Sequence, residues 1–190
     1  MRQLSQPNAA WLDDDGRPDP LVRARLAEAD GQTGYLRAVA ALGGARLLLP
    51  VVSTGDESSL PGGPTGPDPD RQAEMGAVTL VHPEGGRALI AFSGLDSLEV
   101  WAAAAGQGNG RARPVPCTLD DLAATVAEAG AEVLVVDPAG PHPLTVLDDL
   151  VAELASGRRL VELSDGGFGW AQVETTHREW RGPDSVNPAP

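Results

Sequence analysis

The residues with the most regular chemical spacing are three pairs in which a Ser or Thr precedes an Asp by three positions. These pairs are Ser93–Asp96, Thr118–Asp121 and Thr145–Asp148. The spacing is typical of a helix N-terminus, where the hydroxyl accepts a hydrogen bond from a free backbone N–H and the carboxylate faces the positive end of the helix dipole. Helix N-termini also bind phosphate, but here an Asp competes for the same N–H groups. The pairs therefore predict three capped helices rather than three anion sites.

Asp137 is the carboxylate that is best placed to bind a ligand. It directly follows the apolar run Val133–Val136, which predicts a central strand. Open α/β sheets bind ligands at the carboxyl ends of their strands, and we expect Ser93 and Asp96 to lie at the same edge of the sheet. Ser93, Asp96 and Asp137 therefore form the candidate ligand-binding site. The alternative is that Asp137, which precedes a proline, only shapes a turn.

The chain offers few other groups for catalysis or metal binding. None of the three histidines, His82, His142 and His177, has a second ligand at metal-binding spacing. Cys117 is the only cysteine, which excludes an internal disulfide, although a thiol enzyme that pairs Cys117 with His142 stays open as an alternative. All fourteen basic residues are Arg, which excludes sites that need a lysine amine, such as a P-loop or a pyridoxal phosphate Schiff base. We predict no catalytic residue, no metal and no cofactor.

Composition limits the class of partner. The chain of 190 residues carries a formal net charge of −13, which argues against nucleic acid and anionic membranes, because both attract clusters of Arg and Lys. No apolar run approaches the roughly 20 residues of a membrane-spanning helix, and the first residues form no apolar signal region. We therefore expect a cytoplasmic protein, with another protein or a second copy of the chain as the partners that its charge allows.

The order of the predicted elements indicates an α/β fold, bordering on α+β, with a mixed sheet of about five strands and helices packed on it. Ala77–Val81 and Arg87–Phe92 flank a Pro-Glu-Gly-Gly turn and form the clearest hairpin. Strand–helix units follow at the three hydroxyl–carboxylate pairs. The other predicted strands are Arg46–Val52, Arg113–Cys117, Val133–Val136, Leu160–Leu163 and Trp170–Val173, and two further helices begin near Asp19 and Tyr35.

Three regions follow one another along the chain. Residues 1–17 are predicted to be an N-terminal tail, residues 18–163 a single domain, and residues 164–190 a short hairpin with a disordered tail. Within the domain, residues 53–72 are rich in Gly, Pro, Asp and Glu, which indicates a mobile loop. Pro50 cannot donate a hydrogen bond within a sheet, so we expect a strand edge or a bulge beside it.

Five segments, taken in order, resemble the N-terminal domain of the SseB family. They are Arg46–Val52, Glu74–Leu80, Arg87–Ser93 with its continuation to Trp101, Arg113–Pro116, and Val135–Pro141. The likeness spans roughly residues 21–163. The family is named for an enhanced serine-sensitivity phenotype, and the resemblance implies no established activity and no set of catalytic residues. A translocon protein of type III secretion has the same name but is unrelated, since this chain lacks the long helices and apolar segments that a translocon needs.

The residue inventory and the resemblance together favour a non-catalytic protein-interaction or regulatory module. We predict that its contact surfaces include Trp101 and Trp170, together with the sheet edge at Arg113–Cys117. The alternative is a small-molecule-binding protein or an enzyme, with its pocket at the carboxyl edge of the sheet beside Ser93 and Asp137. A ligand that raises the melting temperature would favour the alternative.

Overall fold

The computed structural model of the chain describes residue 11 and residues 14–53, 75–105 and 112–172. Within these ranges the chain forms five helices and nine strands, and the predicted α/β class is confirmed. The helices are α1 (Pro20–Ala27), α2 (Gly31–Leu42), α3 (Leu95–Ala105), α4 (Leu119–Glu128) and α5 (Asp148–Ala155). The strands are β1 (Leu47–Ser53), β2 (Met75–Ala77), β3 (Thr79–Val81), β4 (Arg87–Ala91), β5 (Arg113–Cys117), β6 (Val133–Val136), β7 (Leu144–Val146), β8 (Arg158–Glu162) and β9 (Phe168–Gln172). None of these helices is long and apolar enough to cross a membrane.

The first seven strands form two sheets that meet at a junction. In the first sheet β1 lies between β2 and β5 and is antiparallel to both. In the second sheet the order is β3-β4-β6-β7, with β4 parallel to β6 and the predicted hairpin confirmed as β3–β4. Only Val78 separates β2 from β3, so they act as one bent strand that pairs first with β1 and then with β4. Leu48 and Phe92 exchange two backbone hydrogen bonds and thereby join β1 to β4.

The irregularity expected at Pro50 occurs in the neighbouring strand. Pro50 lies within β1, and its carbonyl oxygen accepts a hydrogen bond from Val78 N at 3.0 Å. Proline has no N–H to return to Val78, and Val78 is the residue at which β2 ends and β3 begins. The missing donor therefore coincides with the bend at which the strand passes from β1 to β4.

Side chains alternate between the two sides of the sheet, so the core consists of two clusters. Leu89 and Ala91 of β4 face the main cluster, to which α1, α2, α4 and α5 contribute. Ile90 and Phe92 face the opposite side, where α3 packs. The buried members of this smaller cluster are Leu48, Ile90, Phe92, Leu98 and Trp101. Within the described residues, four helices therefore cover one side of the sheet and α3 alone covers the other.

The residues just before α1 pack against the start of α3. Gly16 O accepts a hydrogen bond from Leu95 N at 2.8 Å, and a Cβ on Gly16 would overlap the Leu95 side chain, 2.2 Å away. Arg46 holds the same segment, because its Nε lies 3.0 Å from Asp14 Oδ2 and its Nη2 donates to Arg17 O at 2.5 Å. The last residues of the predicted N-terminal tail are therefore packed against the domain.

The last predicted hairpin is confirmed as β8–β9, which pairs Leu160 with Trp170. It packs on the same side of the sheet as the main cluster, because Leu160 belongs to that cluster. α2 begins at Gly31, one turn before the predicted start near Tyr35. The predicted mobile loop after Ser53 and the predicted disordered tail lie outside the described residues.

The three hydroxyl–carboxylate pairs have three different structures. Thr118 is the N-cap of α4 and forms a complete capping box with Asp121, whose N–H donates to Thr118 Oγ1 at 3.1 Å. Thr145 lies in β7, and α5 begins only after Leu147, which provides no side-chain cap. The Ser93 hydroxyl donates to Asp137. The capping prediction is confirmed for Thr118 and wrong for Ser93 and Thr145, because long-range contacts engage these two residues first.

Replacing Thr118 by alanine is expected to lower the free energy of unfolding by about 1 kcal/mol, since the Asp121 N–H loses its acceptor. Thr118→Ser should retain most of this stability. Thr145→Ala is the matched control: Thr145 is exposed and caps no helix, so its loss should stay below about 0.5 kcal/mol. Urea denaturation measures all three variants. Equal losses for Thr118→Ala and Thr145→Ala would contradict the assigned cap.

Candidate functional site

Ser93 and Asp137 are in direct contact at the carboxyl ends of two parallel strands. Asp137 N donates to Ala91 O at 2.9 Å, which continues the pairing of β4 with β6. One oxygen of the Asp137 carboxylate accepts a hydrogen bond from Ser93 N at 2.9 Å, and the other accepts one from Ser93 Oγ at 2.6 Å. Both residues are buried. The structure therefore brings together two of the three residues of the predicted site.

Arg23 of α1 connects the third residue, Asp96, to this pair. Its Nη2 donates to Asp96 Oδ1 at 2.7 Å and to Ser97 Oγ at 2.6 Å. Its Nε lies 3.9 Å from Asp137 Oδ2 and is buried without a hydrogen-bond partner in the described part of the chain. Arg23, Ser93, Asp96, Ser97 and Asp137 are therefore joined in one group, the Arg23 cluster.

Asp137 also forms the turn that its sequence predicts. Its φ is +52°, the only positive value of a non-glycine residue in the described ranges. Left-handed backbone of this kind is unfavourable for most L-residues and is tolerated by Asp and Asn. The turn is closed by a hydrogen bond from Gly140 N to Asp137 O at 2.9 Å. Asp137 is therefore both a turn residue and an acceptor for Ser93.

The chemistry of the Arg23 cluster is limited by its internal contacts. Ser93 occupies both carboxylate oxygens of Asp137, which is 2% exposed. The accessible carboxylate is that of Asp96, whose side chain is 58% exposed and already pairs with Arg23. Buried polar groups stabilise a fold when their hydrogen bonds are satisfied. Apart from Arg23 Nε, the polar groups described here are paired within the cluster, which links the ends of β4 and β6 to α1 and α3.

The surroundings of Cys117 argue against a thiol enzyme. Cys117 is buried, and its Sγ donates to Val115 O at 3.4 Å. Burial, reinforced by the charge of Asp121, raises the pKa of this thiol to about 12, so the nucleophilic thiolate is scarce at neutral pH. His142 is exposed. Among the described residues, no group of three or more His, Cys, Asp and Glu side chains could hold a metal ion.

The two tryptophans predicted for a contact surface differ in exposure. Trp101 is 5% exposed and packs on Phe92, with the ring centroids 5.5 Å apart. The prediction for Trp101 is wrong, because α3 turns this side chain into the smaller cluster. Trp170 of β9 is 37% exposed and stays a predicted contact residue.

A shallow apolar groove lies on the side of the sheet where α3 packs. It has a volume of about 510 Å³, and we call it the open groove. Residues of β3, β4, β6 and β7 that point to the same side of the sheet line it: Leu80, Ala88, Val133, Val135 and Thr145. Arg87 and Glu132 also line the groove. The sequence does not indicate this surface, because the apolar run of β6 does not show which of its two sides is covered.

Comparison with known proteins now identifies the family. A family model described as the SseB protein N-terminal domain matches residues 22–153, which is more than half of the chain. The chain belongs to the SseB family. No curated protein and no solved structure matches it. The matched range includes the Arg23 cluster, the open groove and all strands from β1 to β7, so the features described above belong to the SseB domain itself.

The packed unit of this SseB protein continues past the matched range. The match ends within α5, before β8–β9. Leu160 of β8 nevertheless lies in the main cluster. Arg37 of α2 pairs with Glu162 of β8, with Nη2 and Oε1 2.5 Å apart, and this hydrogen bond lowers the pKa of the Glu162 carboxyl. The hairpin is therefore tied to the SseB domain by both apolar and charged contacts.

Proposed function

We propose that this SseB protein is a cytoplasmic, non-catalytic interaction module and that the open groove is its main contact surface. The proposal rests on one observation: helices cover the two sides of the sheet unequally. Four helices contribute to the core on one side, while the other side keeps an apolar groove of about 510 Å³ next to the residues on which α3 packs. Burial of such apolar surface against a partner is favourable, and exposed apolar surface often marks an interaction site.

The polar residues support binding rather than catalysis. The strongest candidates for chemistry are engaged in the fold: Ser93 occupies the carboxylate of Asp137, and Cys117 is buried with a raised pKa. The aliphatic side chains of the open groove offer contact area, and its polar lining residues His82, Arg87, Glu132 and Thr145 lie at the hairpin and on or beside separate strands around them. The net charge of −13 favours a partner that carries positive charge.

Site-specific photo-crosslinking in the native cell tests this proposal. A photoreactive phenylalanine analogue is placed at Leu80 or Thr145 in the open groove, and at Ala127 or Ala152 as matched exposed controls on α4 and α5. We expect a discrete adduct with one protein from the groove positions and not from the controls. Ala88→Arg, which fills the groove with a charged side chain, should abolish the adduct. Identical adduct patterns from groove and control positions would refute the proposal.

The second candidate function is small-molecule binding at Ser93, Asp96 and Asp137. The observation in its favour is that Ser93 and the left-handed Asp137 meet at the carboxyl ends of parallel strands, with Asp96 linked to them through Arg23. A metabolite library should then contain a compound that raises the melting temperature. Asp96→Asn should abolish the shift without unfolding the chain, since Asp96 is exposed, and Asp148→Asn serves as an exposed control in the first turn of α5. A shift that survives Asp96→Asn would exclude this site.

A further inference from the structure

The bent strand β2–β3 presents an open backbone edge. Val78 N donates to Pro50 O at 3.0 Å, and His82 N donates to Gly86 O at 3.1 Å. In an antiparallel pair, the N–H and C=O of one residue point to the same side, and the next residue points to the other. The backbone groups of Ala77, Thr79 and Val81 therefore face away from β1 and β4. Within the described residues no strand pairs with this side, which we call the outer edge.

Two prolines of β5 disfavour strand pairing at the opposite edge of the first sheet. β1 pairs with β5 in the register Leu49 with Val115 and Leu48 with Pro116. The backbone groups of Leu48 point to β4, since they bond Phe92. Pro116, and Pro114 two residues earlier, therefore lie at the positions of β5 that point outward. Because proline has no N–H to offer, a further strand is disfavoured at this edge, including the contact predicted at Arg113–Cys117.

A tyrosine side chain occupies the backbone groups at the β7 edge of the second sheet. The Tyr35 hydroxyl donates to Thr145 O at 3.0 Å and accepts a hydrogen bond from Leu147 N at 3.2 Å. These are outward-facing backbone groups at the edge strand β7. Of the edges of the two sheets, the outer edge of β2–β3 is therefore the one that no described group blocks.

The side chains next to the outer edge are apolar and exposed. Val81 is 67% exposed, Met75 is 51% exposed and Leu80 is 37% exposed. Leu80 also lines the open groove, so the edge and the groove are continuous. A strand added at the outer edge would place every second side chain over Leu80 on the groove side, and the others beside Val81 on the opposite side. The surface thus offers main-chain hydrogen bonds together with an apolar pocket, as in known cases of strand addition.

We propose that the outer edge binds an extended segment of a partner protein as an additional β-strand, with apolar residues at alternate positions and Lys or Arg at its ends. The proposal rests on the proposed function and specifies how the partner binds. The charge of the chain selects the basic flanks, because the net charge is −13 and the exposed Glu84 and Glu132 at the hairpin turn and in the groove outweigh Arg87 beside them. The same charge disfavours a second copy, since two such chains repel each other.

The probe is a library of short linear peptides displayed on phage, from which peptides that bind the full chain are selected. We expect selected peptides to alternate apolar and other residues and to carry basic ends. Synthetic copies should lose binding when alternate backbone amides are N-methylated, since this removes the donors of a paired strand. Thr79→Pro should weaken the peptides by about tenfold, because Thr79 N faces outward and its loss leaves the β3–β4 pairing intact. Thr79→Val retains this N–H and should bind within about twofold.

Several results would overturn the proposal. Peptides that bind equally with or without N-methylation would show that no strand forms, and this comparison needs no variant of the chain. Dissociation of a dimer by Thr79→Pro in sedimentation would assign the outer edge to a second copy. Crosslinks from the open groove without any effect of Thr79→Pro or N-methylation would refute strand addition and leave the proposed function standing. Absence of both crosslinks and selected peptides would refute the two together.

Discussion

Replacing Asp137 by alanine is expected to lower the free energy of unfolding by about 3 kcal/mol, measured by urea denaturation. The carboxylate accepts hydrogen bonds from Ser93 N and Ser93 Oγ, at 2.9 and 2.6 Å. Both donors are buried, so removal of their acceptor leaves two unsatisfied groups that each cost about 1–3 kcal/mol. Arg23, whose Nε lies 3.9 Å from the same carboxylate, also loses this negative charge and keeps only its pair with Asp96. We therefore expect the midpoint of unfolding to fall while the denaturant dependence stays unchanged.

Two further variants separate the hydrogen bonds of Asp137 from its backbone strain. Asparagine tolerates the φ of +52° and keeps one acceptor oxygen, so Asp137→Asn should cost less than Asp137→Ala. Glycine relieves the strain but removes both acceptors, so Asp137→Gly should lie between the two. An alanine variant that is no less stable than the asparagine variant would contradict the structural role assigned to this carboxylate.

The sequence pattern predicted the ends of β4 and β6 well, and with them the meeting of Ser93 and Asp137. Both strands are apolar runs that end in polar turn residues, and parallel neighbours bring such ends together. Arg23 was not predictable in the same way. It lies in a helix with apolar neighbours on both sides in the sequence, and only the packing of α1 beside α3 brings its guanidinium to Asp96. The composition of the site therefore depends on tertiary packing that local patterns do not contain.

The three hydroxyl–carboxylate pairs illustrate why local patterns fail. All three have the same spacing, but only Thr118 lies directly before its helix and caps it. Ser93 meets a carboxylate 44 residues away, and Thr145 pairs with Val135 as a strand. A cap contributes about 1 kcal/mol, whereas Ser93 makes two hydrogen bonds to a buried carboxylate, each of about 1.5–3 kcal/mol. Thr145 belongs to a strand whose three residues all pair with β6. The tertiary contacts therefore decide the structure at these two positions.

The open groove was hidden from sequence analysis for a related reason. β6 is apolar at all four positions, so its pattern predicts burial on both sides. In the fold, Leu134 and Val136 lie in the main cluster and are fully buried, whereas Val133 and Val135 line the groove and are only partly buried. Val135 is a partly buried neighbour of the smaller cluster under α3, and the groove lining includes no residue of α3. A binding surface of this kind becomes visible only when the helices have been placed.

Phe92 is the residue on which the position of α3 most depends. It is fully buried, it packs on Trp101 of α3, and its backbone joins β4 to β1 through Leu48. Phe92→Ala is expected to lower the free energy of unfolding by about 3–5 kcal/mol, because the cavity lies in a cluster with few other buried side chains to fill it. Leu122→Ala, a fully buried site of the main cluster, is the matched control with an expected loss of about 2–5 kcal/mol.

Native-state hydrogen exchange distinguishes the two variants, because it reports local as well as global opening. In Phe92→Ala the amides of α3 should exchange faster than global unfolding allows, since the smaller cluster holds the apolar side chains through which α3 packs on the sheet. In Leu122→Ala the exchange rates of the α3 amides should rise only as far as the loss of global stability predicts. If the two variants gave the same exchange pattern in α3, the two clusters would unfold as one unit. Faster exchange of α3 alone would instead show that this helix, which lies beside the open groove, is stabilised separately from the main cluster. The packing of α3 would then determine how much apolar sheet surface a partner can reach.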